Sequence, residues 1–382
     1  MSKKALIAMS GGVDSAVAAL LMKEQGYDCI GITMRLFDNE DIFHDENLKS
    51  HNSRSCCSME DAELAEKVAN RIGIPFYVMN LADDFRKDVM NRFVDGYKNG
   101  ITPNPCIDCN RYIKFDRLFT KATQLGIDHV VTGHYAQIEE KTETINNPNA
   151  PDNTSNLNDH SFILKKAADL SKDQSYVLYS LTQDQLRRLK LPLGGLTKLE
   201  VRAIAAKNGF ANAEKPDSQD ICFVRDGDYA TFITQYTGED CSEGHFLDTS
   251  GQIIGTHKGH IRYTIGQRKG LGIALGKPMY VCAKDPMNNT VTLCEDAELY
   301  ANGLYAGDFN WISQPWITQQ TTIRAKAKIR YSHKEEWVTA EIVENQNNKV
   351  KITFDQPQRA IAPGQAVVLY DGDVVIGGGT IL

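Results

Sequence analysis

The feature that most limits the possible folds is a short apolar run, Ala5 to Met9, that passes straight into Ser10-Gly11-Gly12-Val13-Asp14-Ser15 and then into a helical stretch. A buried strand followed at once by a glycine turn and a helix start is how an open α/β sheet begins. Glycines let backbone N–H groups approach an anion closely, and the helix N-terminus adds partial positive charge. Ser10 and Ser15 add hydroxyl donors, and Asp14 is a candidate to hold a magnesium ion on pyrophosphate. The Lys of a Walker A loop is missing, so this is not a kinase-type P-loop.

The first half of the chain keeps alternating strand and helix signals. A helix is expected over Asp14 to Gln25, a strand over Tyr27 to Thr33, and a helix with the period Leu64, Ala65, Val68, Ala69, Ile72 after an N-cap-like Ser58. A strand over Phe76 to Leu81, a helix over Phe115 to Leu125 and a strand over His129 to Thr132 follow. Such alternation implies a mainly parallel sheet covered on both faces. Asp38 to Arg54 reads as disordered, and Thr142 to His160, rich in Asn, Pro, Asp, Ser and Thr, as a surface insertion. Helices are expected again over Thr182 to Leu189 and Thr197 to Asn208.

After about Gly244 the class changes to short β-branched runs between turn residues: Gln252 to Gly255, Met279 to Ala283, Thr290 to Cys294, Thr322 to Tyr331, Trp337 to Val343, Lys349 to Phe354 and Ala366 to Tyr370. A chain of 382 residues is long enough for two or three cores. The expected architecture is α/β: a nucleotide-binding parallel-sheet domain over 1–210, a small central domain over 211–280 and a terminal β-barrel over 281–382.

Composition narrows the function. The start of the chain is neither a membrane span nor a secretory leader, which points to the cytoplasm. A formal net charge of -7 excludes a protein that coats nucleic acid nonspecifically, but not a selective RNA enzyme with a local basic face. Lys165-Lys166, Arg187-Arg188 with Lys190, and Arg324, Lys326, Lys328 and Arg330 are the clusters available. The last four alternate, so they would share one face of a strand, either an RNA contact or a solvated surface.

Nine cysteines, an odd number in a long chain, point away from a secreted disulfide framework. The informative ones are Cys106 and Cys109 in Pro103-Asn104-Pro105-Cys106-Ile107-Asp108-Cys109-Asn110, expected in a loop leading to the Phe115 helix, and Cys222 in Asp217-Ser218-Gln219-Asp220-Ile221-Cys222-Phe223. Cys109, with Arg111 and Lys114 close by, suits a reactive thiolate. A CxxC plus a third cysteine could be a redox pair with a sulfur carrier or three ligands of an iron–sulfur cluster. Zinc would need a second CxxC or a His pair, which is absent. Cys29, Cys241, Cys282 and Cys294 read as packing residues, and the vicinal Cys56-Cys57 has no assigned role.

The SGGVDS segment resembles the signature of the PP-loop ATP pyrophosphatases, which cleave ATP between the α and β phosphates to activate a carbonyl oxygen. Over nearly the whole chain the sequence also resembles the tRNA-specific 2-thiouridylases. The stretches that carry this are AMSGGVDS at Ala8 to Ser15, the NPCxxCN segment, TGHYA at Thr132 to Ala136, KDQSYVLY at Lys172 to Tyr179, KPDSQDICF at Lys215 to Phe223, GHIRYTIGQRKGLGI at Gly259 to Ile273, and APGQAVVLY at Ala362 to Tyr370.

The resemblance implies ATP-dependent 2-thiolation of the wobble uridine in tRNAs for Lys, Glu and Gln. ATP would meet Ala8, Met9, Ser10, Gly11, Gly12, Val13, Asp14, Ser15, Met34 and Gly133, with Mg2+. Asn104, Pro105 and Cys106 would lie near the target base, while His134, Lys172, Asp173, Gln174, Arg330, Tyr331 and Gln365 would touch tRNA. Catalysis would fall to Cys109, Cys222 and Cys106. Either Cys222 carries a persulfide that Cys109 resolves, leaving a disulfide, or all three thiolates hold an iron–sulfur cluster. Some family members have Asp at the position of Cys106; the third thiol of this chain completes a three-ligand set with an open iron and so favours the cluster slightly. The implied partners are tRNA and a sulfur carrier, with neither DNA nor a membrane. The rivals are a PP-loop enzyme acting on a small metabolite, which would need neither paired cysteines nor a long β-tail, and a noncatalytic RNA-binding protein, against which the intact SGGVDS and the placed cysteines speak.

Overall fold

The computed structural model describes residues 3–37, 59–144, 158–217, 220–224, 227–312, 322–344 and 348–382. The Asp38 to Arg54 stretch, Ser58, Cys56, Cys57, Ser218 and Gln219 lie outside the described residues.

The first part is a five-stranded parallel sheet of β1 (Lys4–Ala8), β2 (Asp28–Arg35), β3 (Phe76–Asn80), β4 (His129–Val131) and, after a hairpin of β5 (Gln137–Thr144) and β6 (Asn158–Lys165), β7 (Leu189–Lys190). The strand order is β3-β2-β1-β4-β7. Ala5, Leu6 and Ile7 are fully buried because helices cover both faces. Leu6 packs into one layer, while Ala5 and Ile7 pack into the other beside α1 (Val13–Glu24), as the two-residue period of a strand requires. The chain leaves β1 toward β2 on one side and returns through β4 on the other. The carboxyl ends of β1 and β4 therefore flank the switch in strand order where open α/β sheets bind ligands.

Two expectations need correction. The CxxC segment is helical rather than a loop: a helix begins at Pro105–Asp108, continues through a π-helical segment, Cys109–Arg117, and ends as Leu118–Gln124. Proline at the first helical position loses no hydrogen bond, and the Asn104 side chain caps the turn by accepting from the Cys106 N–H at 3.2 Å. Likewise Thr142 to His160 is not wholly a loop, because Thr142 pairs with His160 and Thr144 with Asn158 in the β5–β6 hairpin. A helical run through Ala82–Phe85, Arg86–Met90 and Asn91–Lys98, again with a π-helical middle, packs against the cysteine helix.

The helix Tyr229–Thr237 leads into a second sheet of β8 (Gly244–Leu247), β9 (Ile253–His257), β10 (Tyr280–Asp285) and β11 (Thr290–Cys294), in the order β10-β11-β8-β9. Phe246, Tyr263, Val281, Val291 and Leu293 form its core. The last strands, β12 (Tyr300–Trp311), β13 (Thr322–Lys328), β14 (Glu336–Glu344), β15 (Lys349–Arg359), β16 (Ala366–Asp371) and β17 (Val374–Ile381), close into a six-stranded barrel through the β12–β17 pairing. On β13, Ile323, Ala325 and Ala327 point into the barrel, so Arg324, Lys326 and Lys328 point out. Arg330 does not share that face. The strand ends at Lys328, and the half-buried Arg330 guanidinium donates to the Ala360 carbonyl at 2.7 Å. Among the described residues no helix is long and apolar enough to cross a membrane.

Candidate active site

Ser10 to Gly12 turn the chain from β1 into α1. Gly11 has φ +72°, and a Cβ there would fall 2.3 Å from the Asp61 carbonyl oxygen. A side chain is thus excluded by both strain and space. The Ser15 hydroxyl accepts from the Ser10 N–H and donates to the Gly12 carbonyl, each at 3.1 Å, which fixes the loop. Gly133, after β4, presses on the start of α1, where a Cβ would lie 2.8 Å from the Ser15 nitrogen. The structure thus brings Ala8 to Ser15 and Gly133 together at the strand-order switch. Met34 lies near the end of β2, half-buried between two core layers.

The charged centre of the site is Asp14. Its carboxylate accepts from the Tyr135 hydroxyl at 2.7 Å and from the Lys198 ammonium at 2.7 and 2.8 Å. Lys198 also meets Asp217 at 2.7 Å, and Asp217 is held by Lys172 at 2.8 Å and Arg202 at 3.3 Å. Burial pushes the Asp217 carboxyl up, but the hydrogen bonds from Lys172 and Lys198 outweigh it and hold the pKa below the usual carboxylate range. Burial, then the bond to Asp14, pushes the Tyr135 phenol up, so Tyr135 remains a donor. Two further ties join the same elements: the Asn212 amide donates to the Gly11 carbonyl at 3.0 Å, and Lys215 pairs with the buried Asp61.

The segment that supplies Lys215 and Asp217 runs on to Cys222. Phe223 wedges its neighbour into place, with its ring centroid 5.3 Å from that of Phe93 and 5.0 Å from that of Phe232. Cys109 is buried in this same cluster, and Cys222 packs against it partly buried. Cys106, one turn earlier on the helix, is exposed. Among the described residues no set of three or more His, Cys, Asp or Glu side chains is gathered as a metal site. The three thiols thus lie at different depths, Cys109 buried, Cys222 partly buried and Cys106 exposed.

The residues expected at the RNA turn out to be bonded within the protein. His134 is buried, shares a 2.9 Å hydrogen bond with Thr132, and has its pKa lowered to about 3 by burial and by Lys114. Asp173 accepts from the Ala167 and Ser175 N–H groups, and the Gln174 side chain accepts from the Tyr135 N–H at 2.9 Å. The Tyr331 hydroxyl donates to the Asp173 carbonyl at 2.9 Å, and Tyr331 lies within electrostatic reach of Cys106. Gln365 bonds the loop before Asn104. A cleft of about 330 Å³ opens beside Asn104, Ile107 and Asp108, bounded by Tyr179 and, from the barrel, Gly364 and Thr380. Lys198, Tyr135, Asp61 and Asn212 were not expected at the site. Tyr135 and Asp217 do stand in motifs that carry the resemblance, but Lys198 has no local signal beyond its place at the start of a helix.

Comparison with known proteins finds three family models along the chain. The family described as tRNA methyl transferase HUP domain matches residues 3–226, the tRNA methyl transferase PRC-barrel domain residues 230–295, and the aminomethyltransferase beta-barrel domain residues 301–381. The tRNA-specific 2-thiouridylase MnmA of Clostridioides difficile (strain 630) is 48% identical over 381 residues, covering 100% of this chain and 98% of that protein. The protein of the same name from Acetivibrio thermocellus is 48% identical over 379 residues, covering 99% of each. Matched by these family models along its length and 48% identical to these relatives from end to end, the chain belongs to the tRNA-specific 2-thiouridylase family.

Proposed function

We propose that the protein replaces the 2-oxygen of the wobble uridine of tRNAs for Lys, Glu and Gln with sulfur, at the cost of ATP cleaved to AMP and pyrophosphate. The observation that carries this reading is the tie between the two chemistries: the segment leading to Cys222 is bonded to the ATP loop at Gly11 through Asn212, linked to Asp14 through Lys198, and paired with Asp61 through Lys215.

A carbonyl oxygen is a poor leaving group. The uridine O2 therefore attacks the α-phosphorus of ATP, an O–P bond forms, and pyrophosphate departs toward the N–H groups at the start of α1. The terminal sulfur of a Cys222 persulfide then adds to C2, and the C2–O bond breaks to release AMP. The Cys109 thiolate attacks the Cys222 sulfur, the S–S bond breaks, and its electron pair stays on the sulfur now bound to C2. A Cys109–Cys222 disulfide remains, to be reduced by two electrons from a cellular thiol.

Mg2+ would neutralise the polyphosphate, with Asp14 as the candidate carboxylate at the ATP loop. That carboxylate already meets Lys198 and Tyr135, so the ion fits better as part of the ATP complex than as a resident metal. The Arg324, Lys326 and Lys328 face would steer tRNA, and a persulfide-carrying protein of the cytoplasm would load Cys222.

The test is reconstitution of the purified protein with ATP, unmodified tRNA and a persulfide donor, followed by mass spectrometry of the wobble nucleoside. Sulfur-free uridine with full AMP release, or 2-thiouridine formed without ATP, would reject the reading.

A further inference from the structure

We infer that the domain built on β8–β11 carries a further contact with the tRNA backbone, a basic pocket that takes phosphodiester groups between the start of the Tyr229–Thr237 helix and the loop after Tyr263. This rests on the functional reading above, which makes tRNA the substrate, and extends it to a surface outside the β13 face. From Thr249 to Lys284 the chain carries no Asp or Glu, although it has 49 of them in 382 residues, whereas Lys258, Arg262, Arg268, Lys269, Lys277 and Lys284 all fall in that stretch. Lys277 pairs with Glu295, and Lys284 is held over the Tyr97 ring at 5.6 Å. Among the described residues the other four make no ion pair. Cations left unneutralised in one stretch repel one another, so their clustering in a chain of net charge -7 points to a polyanion.

Lys258 and Arg262 line a pocket of about 420 Å³ together with Asp228, Tyr229, Tyr263 and Gly270. The Arg262 Nε donates to the Lys258 carbonyl at 3.1 Å, which leaves its two terminal nitrogens for a ligand. The Asp228 carboxylate is turned to the helix it caps, accepting from the Thr231 N–H at 3.0 Å and from its hydroxyl at 2.6 Å. Two cations thus line the cavity against one bonded carboxylate. The loop adds Arg268 and Lys269, both exposed. Gln267 clamps that loop by accepting from the Thr264 N–H and donating to the Lys269 carbonyl, each at 3.0 Å, which holds the two cations next to the pocket-lining Gly270. The pocket is also fixed to the catalytic part of the chain. Tyr229 stacks on Tyr97 with ring centroids 4.6 Å apart, His260 shares a 3.1 Å hydrogen bond with the Lys98 carbonyl, and Ile261 is buried in the cluster that holds Cys109. A folded RNA whose wobble base enters at the cysteine helix therefore meets these cations at a set offset. A concave site with a forked guanidinium suits phosphate oxygens better than it suits the flat acidic face of a protein.

The experiment measures tRNA affinity by filter binding across a salt series for the wild type, for Lys258→Ala with Arg262→Gln, and for Arg268→Ala with Lys269→Ala. Thermal melts report folding, titration with a non-cleavable ATP analogue reports the ATP loop, and phosphate-ethylation interference maps the contacts on the tRNA. Each double variant should bind tRNA about fivefold or more weakly and lower the salt-dependence slope by about one to two units, with melting and analogue affinity unchanged. Interference at a discrete set of phosphates should be present with the wild type and vanish with both. Should the first double variant melt early, the second, altered only at exposed positions, decides. Affinity and slope equal to the wild type overturn the inference, and so does weaker binding with the slope and the interference map unchanged. Pyrophosphate binding that both variants lose while their tRNA affinity stays whole would reject it in favour of a free phosphate ligand, and lost persulfide loading from a donor protein with tRNA affinity whole would reject it in favour of a protein-docking face. Failure of the wild type to bind tRNA at all would instead remove the functional reading beneath it.

Discussion

The Gln365 side-chain amide donates to the Thr102 carbonyl at 2.8 Å, while the Thr102 N–H donates to the Pro363 carbonyl at 2.8 Å. The turn before β16 is therefore stapled to the loop that opens onto Asn104-Pro105-Cys106. Between the two bonds Gly364 has φ +90°, and a Cβ there would lie 3.1 Å from three Thr102 backbone atoms. Gly364→Ala should cost about 1–3 kcal/mol through strain and crowding, and Gln365→Ala about 1 kcal/mol through the lost bond. Both should slow thiolation of tRNA while leaving ATP affinity unchanged, measured by single-turnover assay and nucleotide titration. Equal losses in both readouts would mean that the staple supports the whole fold rather than the cysteine helix.

Asp14→Ala removes the acceptor for Tyr135 and Lys198 at the ATP loop. AMP and pyrophosphate formation should fall by about a hundredfold or more, the scale for removing one preorganised electrostatic contact. Ser10→Ala should have a smaller effect, because Ser15 still accepts from the Ser10 backbone. Coupled-enzyme detection of pyrophosphate separates the two, and unchanged release in both variants would contradict the assignment of the loop.

The sulfur chemistry should separate Cys106 from the other thiols. With Cys109 buried in the Phe223 cluster, Cys222 packed against that cluster and Cys106 exposed outside it, Cys109→Ala and Cys222→Ala should abolish thiolation, whereas Cys106→Ala should keep a substantial part. Iron-free protein supplied with a persulfide donor should turn over. Loss of iron and activity together in all three variants, after anaerobic purification, would return the cluster to consideration.

Arg324, Lys326 and Lys328 face outward on β13, with Arg324 and Lys326 over the half-exposed Trp337 ring at 5.1 and 5.4 Å. Lys326→Ala combined with Lys328→Ala should weaken tRNA binding and lower the salt-dependence slope by about one to two units, one per lost phosphate contact. Arg330→Ala should instead lower stability, because its guanidinium is half-buried and bonded to Ala360. Filter binding across a salt series, beside thermal melts, distinguishes the two behaviours.

His134 predicts a pH effect on stability. Burial, reinforced by Lys114, holds its pKa at about 3 in the folded chain against an ordinary 6.5. Between those values the unfolded chain takes up a proton that the folded one refuses, so stability is full above pH 6.5 and falls as the pH drops toward 3. The slope is about 1.4 kcal/mol per pH unit for one such group. His134→Gln, which can keep a bond to Thr132, should be less stable at pH 7.5 but lose less between pH 6.5 and 5. Urea midpoints at several pH values read this directly, and parallel curves for both proteins would show that His134 is protonated in the native state.

Legibility in the sequence followed the range of the interactions. β1, the glycine turn and α1 are set by neighbours in the chain: a continuous apolar run, a glycine at φ +72° and a helix stopped by Gln25 and Gly26. The helices begun at Thr182 and Thr197 are equally local, each closed by a capping box with Gln185 or Glu200. The cysteine helix misled because Asn104-Pro105 is also a turn signal, and only the following turns show that it starts a helix. Strand β17 was hidden for a different reason. Its glycines Gly377, Gly378 and Gly379 look like a loop, yet Gly378 is needed where the Tyr179 ring approaches to 2.7 Å of a would-be Cβ.

The sequence by itself determined the α/β class, the position of the ATP loop, the β-rich tail and the three cysteines worth attention, because apolar periodicity, glycine and proline act within a few residues. It could not decide how deeply each thiol lies or which cation closes the site. Lys198 reaches Asp14 across 184 residues, Asn212 reaches Gly11 across 201, and Gln365 reaches Thr102 across 263. Contacts at that separation carry no periodic signature. They exist because the order β3-β2-β1-β4-β7 brings the ends of β1 and β4 side by side, and because packing around Phe223 carries the Cys222 segment to the same edge of the sheet.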